Sequence, residues 1–249
     1  MKKKFGKDNF MHSVIFIGGE SPAPEDTEEY FKSSPAVDNS IAADSGLETL
    51  DSYNGHYKGR IDFYPSHILG DMDSLQDRKL LEKYGRAEKT AFPEDKDYTD
   101  TELALEQAKG LCRDGKNDRI TMIGGNGGRA DHFIGIYETF SSSSHADVWL
   151  CGNQSVWLLE DGCSLEVSKI NPSQMISIAR TAGAFAGGKI KSSGLEWGDS
   201  AMRKRGMPSI SNRISQEWFR ENKKVSIKAD GASFLVFLPI SSAVEIFKV

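Results

Sequence analysis

A chain of 249 residues is long enough for one large domain or two modest ones, each with its own core. Hydrophobic residues at 38% and charged residues at 27% are ordinary for a folded globular protein and exclude long disorder or a fibrous repeat. The net charge of −5 supplies no basic field to draw the protein onto a polyanion, which sets nucleic-acid binding aside.

The opening MKKKFGKDNFMHSVIFIGGE carries basic residues ahead of one short apolar run, Val14–Ile17, that ends in two glycines. It reads as a first strand and not as a signal peptide. No stretch approaches the roughly 20 apolar residues that span a bilayer, so the expectation is no membrane and a cytoplasmic location. Cys112, Cys151 and Cys163 are odd in number and scattered, which suggests buried thiols and neither a disulfide framework nor a zinc site.

Over residues 1–152, apolar runs ending in Gly or Asp alternate with helical periodicity, the pattern of strand, crossover helix, strand in an α/β domain with a parallel sheet. The expected strands are Ser13–Ile17, Ser40–Ala43, His67–Leu69, Arg119–Ile123 and Asp147–Leu150. Thr99 and Glu102 form a capping box, and Ala104, Ala108, Leu111 and Cys112 share one face, which predicts a helix over Thr99–Arg113. Over residues 153–249 the runs shorten and alternate (SVWLLE, SLEVS, MISIAR, KVSIKAD, SFLVFLP, VEIFKV), as in an antiparallel β-sandwich or partial barrel. The serine run Ser141–Ser144 is a loop inside the first domain.

Parallel sheets hold ligands at the carboxyl ends of their strands, so the residues just past each run carry the interest. These are Asp44 and Ser45, then Gly70-Asp71-Met72-Asp73-Ser74, then Asp95, Asp97 and Asp100, then GGNGGRADH from Gly124 to His132. A single such acid is most simply a helix cap or solvated surface. Several together are costly, because two carboxylates 4 Å apart repel by roughly 4 kcal/mol at an effective dielectric near 20. Convergence therefore points to a divalent cation, and all-oxygen ligation favours Mg²⁺ or Mn²⁺ over zinc. The turn Gly124–Arg129 could cradle phosphate with its backbone N–H groups and Arg129, or could simply need glycine for its shape. Gly125-x-Gly127-x-x-Ala130 matches a loose dinucleotide fingerprint but lies late in the sheet. Gly183–Ile190 nearly matches a P-loop but ends in Ile where a hydroxyl is required. His132 beside Asp131 is open to a base role or a structural one.

GDMDS (70–74), KDYTDTELAL (96–105), GGRADH (127–132), SSGLEWGDS (192–200) and SISNRIS (209–215) together resemble the thiamine pyrophosphokinase family, in its order and approximate spacing along nearly the whole chain. The resemblance implies a Rossmann-like α/β domain followed by an antiparallel β-sandwich domain, and transfer of the diphosphoryl group of ATP to thiamine with Mg²⁺. It further implies a homodimer with its active site at the subunit contact, to which both domains contribute. On this resemblance, Asp71, Asp73 and Asp100 fall at the catalytic and metal positions. Asp44, Ser45, Lys96, Asp97, Thr99, Gly125, Gly127, Gly128 and Arg129 fall where nucleotide or phosphate is handled. Asp131, His132, Trp197, Ser209, Ser211 and Asn212 fall at substrate positions. An aromatic face such as Trp197 suits a cationic thiazolium. The MKKKFGKDNF start and the Met202–Pro208 loop have no counterpart in the resemblance. A pterin alcohol as acceptor, or a non-catalytic sensor of nucleotide or thiamine, are the competing readings.

Overall fold

The computed structural model describes residues 11–92, 97–113, 118–183, 188–198 and 209–247. The expected Lys96, the Met202–Pro208 loop and the first ten residues lie outside them. The chain divides into two units: one holds the described residues up to Glu25 with Pro35–Gly152, the other Asp26–Ser34 with Asn153 onward.

The first unit opens with β1 (His12–Phe16). After α1 (Glu28–Ser33), which belongs to the second unit, come β2 (Asn39–Ala43), α2 (Gly46–His56) and β3 (His67–Leu69). Then follow α3 (Lys79–Lys83), β4 (Glu88–Thr90), α4 (Asp100–Leu111), β5 (Arg119–Ile123), α5 (Ala130–Thr139) and β6 (Val148–Cys151). The strands run parallel in the order β4-β3-β2-β1-β5-β6. Chain order reverses between β1 and β5, which makes that gap the topological switch point of the sheet.

Buried parallel strands need apolar residues on both faces, and Val14, Ile15, Phe16, Ile41 and Ala42 are fully buried. The helix α4 packs on β1 and β2 through Ala104, Leu105 and Ala108, and α2 adds Leu47, Leu50 and Tyr53 to the core. Phe16 meets Tyr53 and Phe63 edge-on at ring separations of 5.2 and 5.5 Å. Gly46 is dictated by packing, because a Cβ there would stand 2.1 Å from the Phe16 carbonyl oxygen.

The second unit contains β7 (Gln154–Leu159), β8 (Ser164–Ser168), β9 (Ser177–Arg180), β10 (Lys189–Ser193), α6 (Gln216–Arg220), β11 (Val225–Asp230), β12 (Phe234–Pro239) and β13 (Ala243–Phe247). They form two antiparallel groups, β7-β12-β9 and β10-β11-β8-β13. Leu165, Val167, Ile227 and Ala229 alternate into the core, as the alternating sequence requires. The expected fold class is borne out. The expected first domain runs unbroken to residue 152, whereas Asp26–Ser34 joins the second unit. There Tyr30 packs on Trp157 at 5.8 Å and α1 lies against β13.

One buried polar residue makes the α/β core sensitive to acid. His12 is fully buried, with Nε2 2.9 Å from Thr121 Oγ1 and Nδ1 3.1 Å from the Pro35 carbonyl. A carbonyl only accepts, so Nδ1 carries the proton and Nε2 accepts from the Thr121 hydroxyl. Burial, then the nearby Arg119 charge, lowers the His12 pKa from 6.5 to about 3. A base with a depressed folded pKa contributes stability that is fully present above pH 6.5 and is lost as pH falls towards 3. Denaturant titrations at pH 7, 6 and 5 are expected to show wild type losing about 1.4 kcal/mol more per pH unit below 6.5 than His12→Gln. Parallel pH dependences for the two proteins would contradict this.

Candidate functional site

The carboxyl ends of the parallel strands gather acids. Among the described residues, Asp44 after β2, Asp71 after β3 and Asp100 at the start of α4 form a group whose ligand atoms all lie within 4.8 Å of one another. All three are half-buried, and each is placed by its own local device. Asp44 adopts φ +49° and its N–H donates to the Leu69 carbonyl at 2.9 Å, fastening the end of β2 to the end of β3. Asp71 accepts from the Asp73 N–H at 3.1 Å, closing a tight turn through Met72 at φ +61°. Glu48 of α2 then accepts from the N–H groups of Gln76 and Asp77 at 2.7 and 2.9 Å, and buried Leu75 anchors the same loop. Asp100 is fixed by the capping box: Thr99 Oγ1 accepts from the Glu102 N–H at 3.2 Å, and the Thr99 N–H donates to Glu102 at 2.8 Å.

Gly70 makes the approach possible. At φ +125°, its missing Cβ would lie 3.3 Å from Asp44 Cβ and 3.4 Å from Asp100 Cγ. At 4.8 Å each pair of carboxylates repels by about 3–4 kcal/mol at an effective dielectric near 20. Asp44 Oδ1 is moreover buried with no hydrogen-bond partner among the described residues, although Ser74 donates to the other oxygen. Three grouped carboxylates, one of them with a buried, unpaired oxygen, are a donor set that fits a hard divalent cation. Asp73 stands outside the group of three but close by. The Asp71 charge, then partial loss of water and the Asp44 charge, raise its carboxyl above the ordinary aspartate range.

The remaining expected residues divide by what they already hold. Ser45 turns into α2, its Oγ 2.7 Å from where Gly18 would carry a Cβ. Thr99 is occupied by its cap, and Asp97 is exposed. Gly125, Gly127 and Gly128 follow β5 with positive φ (75°, 71° and 69°). Arg129 grips Asp131 with two hydrogen bonds of 3.2 and 2.6 Å, and this holds the Asp131 carboxyl down at about 2. His132 is exposed on the first turn of α5.

In the second unit the SGLEW and SISN segments are joined by Asn212. This residue is fully buried: its Oδ1 accepts from the Trp197 N–H at 3.2 Å, and its Nδ2 donates to the Trp197 carbonyl at 2.8 Å and to Ser209 Oγ at 2.9 Å. Its amide is spent inside the protein, so Asn212 positions Trp197 and does not itself face a ligand. Ser211, at φ +61°, is exposed and its N–H donates to Ser177 Oγ. Trp197 is 48% exposed with the Arg213 guanidinium 5.2 Å from its ring centroid. Cys112 and Cys151 are half-buried and Cys163 is buried, all as free thiols, and burial pushes Cys151 up to about 11.

A parallel sheet whose carboxyl rim gathers aspartates, followed by an antiparallel β unit, defines a two-part α/β and all-β protein with its acidic site at the ligand-binding edge. The comparisons narrow this. Residues 29–150 match the family model described as "Thiamin pyrophosphokinase, catalytic domain". A thiamine pyrophosphokinase of Bacillus subtilis is 40% identical over 73 residues, a match covering 28% of this chain and 32% of that relative. The solved thiamine pyrophosphokinase of B. subtilis shares the fold with a TM-score of 0.62 at 18% identity, covering 92% of this chain and 98% of that one. A thiamin pyrophosphokinase from Candida albicans gives 0.61 at 15% identity, covering 96% of each chain. A family protein from Enterococcus faecalis gives 0.64 at 16%, covering 92% of this chain and 98% of that one.

The glycine at the centre of the cluster yields a test. Gly70→Ala puts a side chain at φ +125° and presses Asp44 against Asp100, so it is expected to cost about 1–3 kcal/mol in denaturant unfolding. Unchanged stability would mean that the two aspartates are not crowded against this position.

Proposed function

We propose that the protein transfers the diphosphoryl group of ATP to the hydroxyl of thiamine, giving thiamine diphosphate and AMP. The observation that carries this reading is the meeting of Asp44, Asp71 and Asp100 at the strand ends of the family-matched segment. These three carboxylates would hold Mg²⁺, with Asp44 Oδ1 as the oxygen most in need of it. When bound, Mg²⁺ supplies neutralisation of negative charge on the phosphate oxygens. The thiamine hydroxyl oxygen attacks the β-phosphorus in line and releases its proton to solvent, the bond from that phosphorus to the oxygen bridging to the α-phosphorus breaks, and AMP leaves with that oxygen. The chain contributes position: Asp44 fastened to β3, Asp71 held in its turn and Asp100 held by the α4 cap. Positioning and electrostatics of this kind supply most of the acceleration in phosphoryl transfer. The half-exposed ring of Trp197, held by Asn212 and already attractive to the Arg213 cation, supports a role beside the positive thiazolium.

The proposal includes a homodimer with its active sites at the subunit contact. Phe133 and Ile134, 41% and 57% exposed side by side on the first half of α5, support a covered surface on the first unit. Among the described residues no helix is long and apolar enough to cross a membrane, and a cytoplasmic location belongs to the same reading.

Two measurements test it. With ATP and Mg²⁺, AMP and a diphosphorylated product are expected with thiamine and not with a hydroxymethylpterin. AMP with the pterin alone selects the other acceptor, and nucleotide binding without AMP selects a sensor. Asp44→Asn and Asp71→Asn are expected to lower turnover by two or more orders of magnitude, about 3 kcal/mol of transition-state stabilisation, and Asp73→Asn by less. Near-normal turnover in either of the first two variants removes that residue from the metal set. Light scattering is expected to return twice the chain mass; a monomer that turns over at full rate would contradict the dimer.

A further inference from the structure

The acid that closes the switch point belongs to none of the motifs. Glu20 follows β1 by way of Gly18 and Gly19, and a two-way backbone bridge ties it to the loop after β5: the Glu20 N–H donates to the Asn126 carbonyl at 2.7 Å, and the Asn126 N–H donates to the Glu20 carbonyl at 3.1 Å. The Asn126 side chain donates to Glu20 Oε2 at 3.1 Å, leaving Oε1 without a hydrogen-bond partner among the described residues. The carboxylate lies against Gly127, where a Cβ would stand 2.9 Å from Glu20 Cδ, so the glycine is what lets the acid rest on the loop.

This changes what the glycine loop can bind. A carboxylate offers only acceptors and repels phosphate. The loop's own cation, Arg129, is held in two hydrogen bonds by Asp131. What remains is an acceptor at the crevice where open α/β sheets bind their ligands. A ligand group that donates hydrogen bonds fits it; a phosphate does not.

The sheet sets the distance. Asp44 leaves β2, the neighbour of β1, and β5 lies on the other side of β1. Glu20 thus stands one to two strand spacings from Asp44, about 5–10 Å, and one spacing more from Asp71. That is the reach from the phosphate chain of a nucleotide to its ribose hydroxyls. Gly18 and Gly19 carry no side chain into the space between.

We propose that Glu20 is the ribose-reading residue: its carboxylate, set at the β1/β5 switch point by Asn126, accepts hydrogen bonds from the 2′ and 3′ hydroxyls of the nucleotide donor. The proposal rests on the ATP-dependent reading above and adds to it a specificity for ribonucleotides over deoxyribonucleotides.

The test is calorimetric titration of the full chain with Mg²⁺ and each of ATP, 2′-deoxy-ATP, 3′-deoxy-ATP and purine riboside triphosphate, without an acceptor. Wild type is expected to bind ATP about tenfold or more tighter than either deoxynucleotide, the size of a hydrogen bond to a charged group. Glu20→Gln and Glu20→Ala are expected to weaken ATP to near the deoxynucleotide level while leaving the deoxynucleotides within about twofold of wild type. Equal weakening of all four ligands, or an unchanged ATP preference in both variants, overturns the assignment to Glu20. Loss of discrimination only against the purine riboside means that the acid reads the exocyclic amine, and this also overturns it. Failure of wild type to bind any nucleotide strikes the ATP reading itself, a result distinct from these.

Discussion

Mutual repulsion among carboxylates is the constraint on which the rest of the site depends. Asp44, Asp71 and Asp100 come from three separate stretches of chain, yet their oxygens lie within 4.8 Å of one another. Left alone, such a group of like charges works against folding. The surroundings oppose separation all the same. Gly70 gives up its side chain, Asp44 takes a left-handed backbone conformation, and a capping box holds Asp100 in the first turn of α4. Strain and like charge gathered in one place mark a site shaped for a ligand that restores the balance.

The parallel sheet then sorts chemistry along its edge. An acid with an unpaired oxygen stands at the end of β2 beside a second acid at the end of β3, while one strand away a single acid, already positioned by an amide, closes the switch point. The first arrangement suits a cation and the phosphates it neutralises; the second suits hydroxyl donors. The nucleotide proposed as donor has these two ends. In the β unit the same division of labour recurs at a smaller scale, with Asn212 buried to hold a backbone and Trp197 left exposed by it.

Much of the fold was legible because burial writes itself into sequence. Runs such as Val14–Ile17 and Arg119–Ile123 are apolar since both faces of their strands are covered, and the Thr99/Glu102 box announces its helix before any coordinates. What escaped has little apolar content to announce it. The strand Glu88–Thr90 is a short, charged edge held by backbone bonds, and Lys189–Ser193 buries a single isoleucine. The helix Gly46–His56 opens on a glycine that signals a turn but is required by the nearness of Phe16. Segment 26–34 joins the distant unit through Tyr30 and Trp157, a contact no local pattern records. Within the site, Asp71 and Asp100 stood out by motif. The place of Asp44 beside them depends on Gly70 and a positive φ, and Glu20 follows two glycines that look like an ordinary turn. Asn212 reads as a ligand residue in sequence because nothing there reveals that its amide is already engaged.

The proposed chemistry requires one ion shared by three aspartates. Crystals grown with Mn²⁺ and recorded at wavelengths where manganese scatters anomalously locate such an ion directly. The expected result is a peak about 2.1 Å from one oxygen each of Asp44, Asp71 and Asp100. A fully ordered rim with no peak among these residues, or a manganese ion bound elsewhere in the chain, would contradict it.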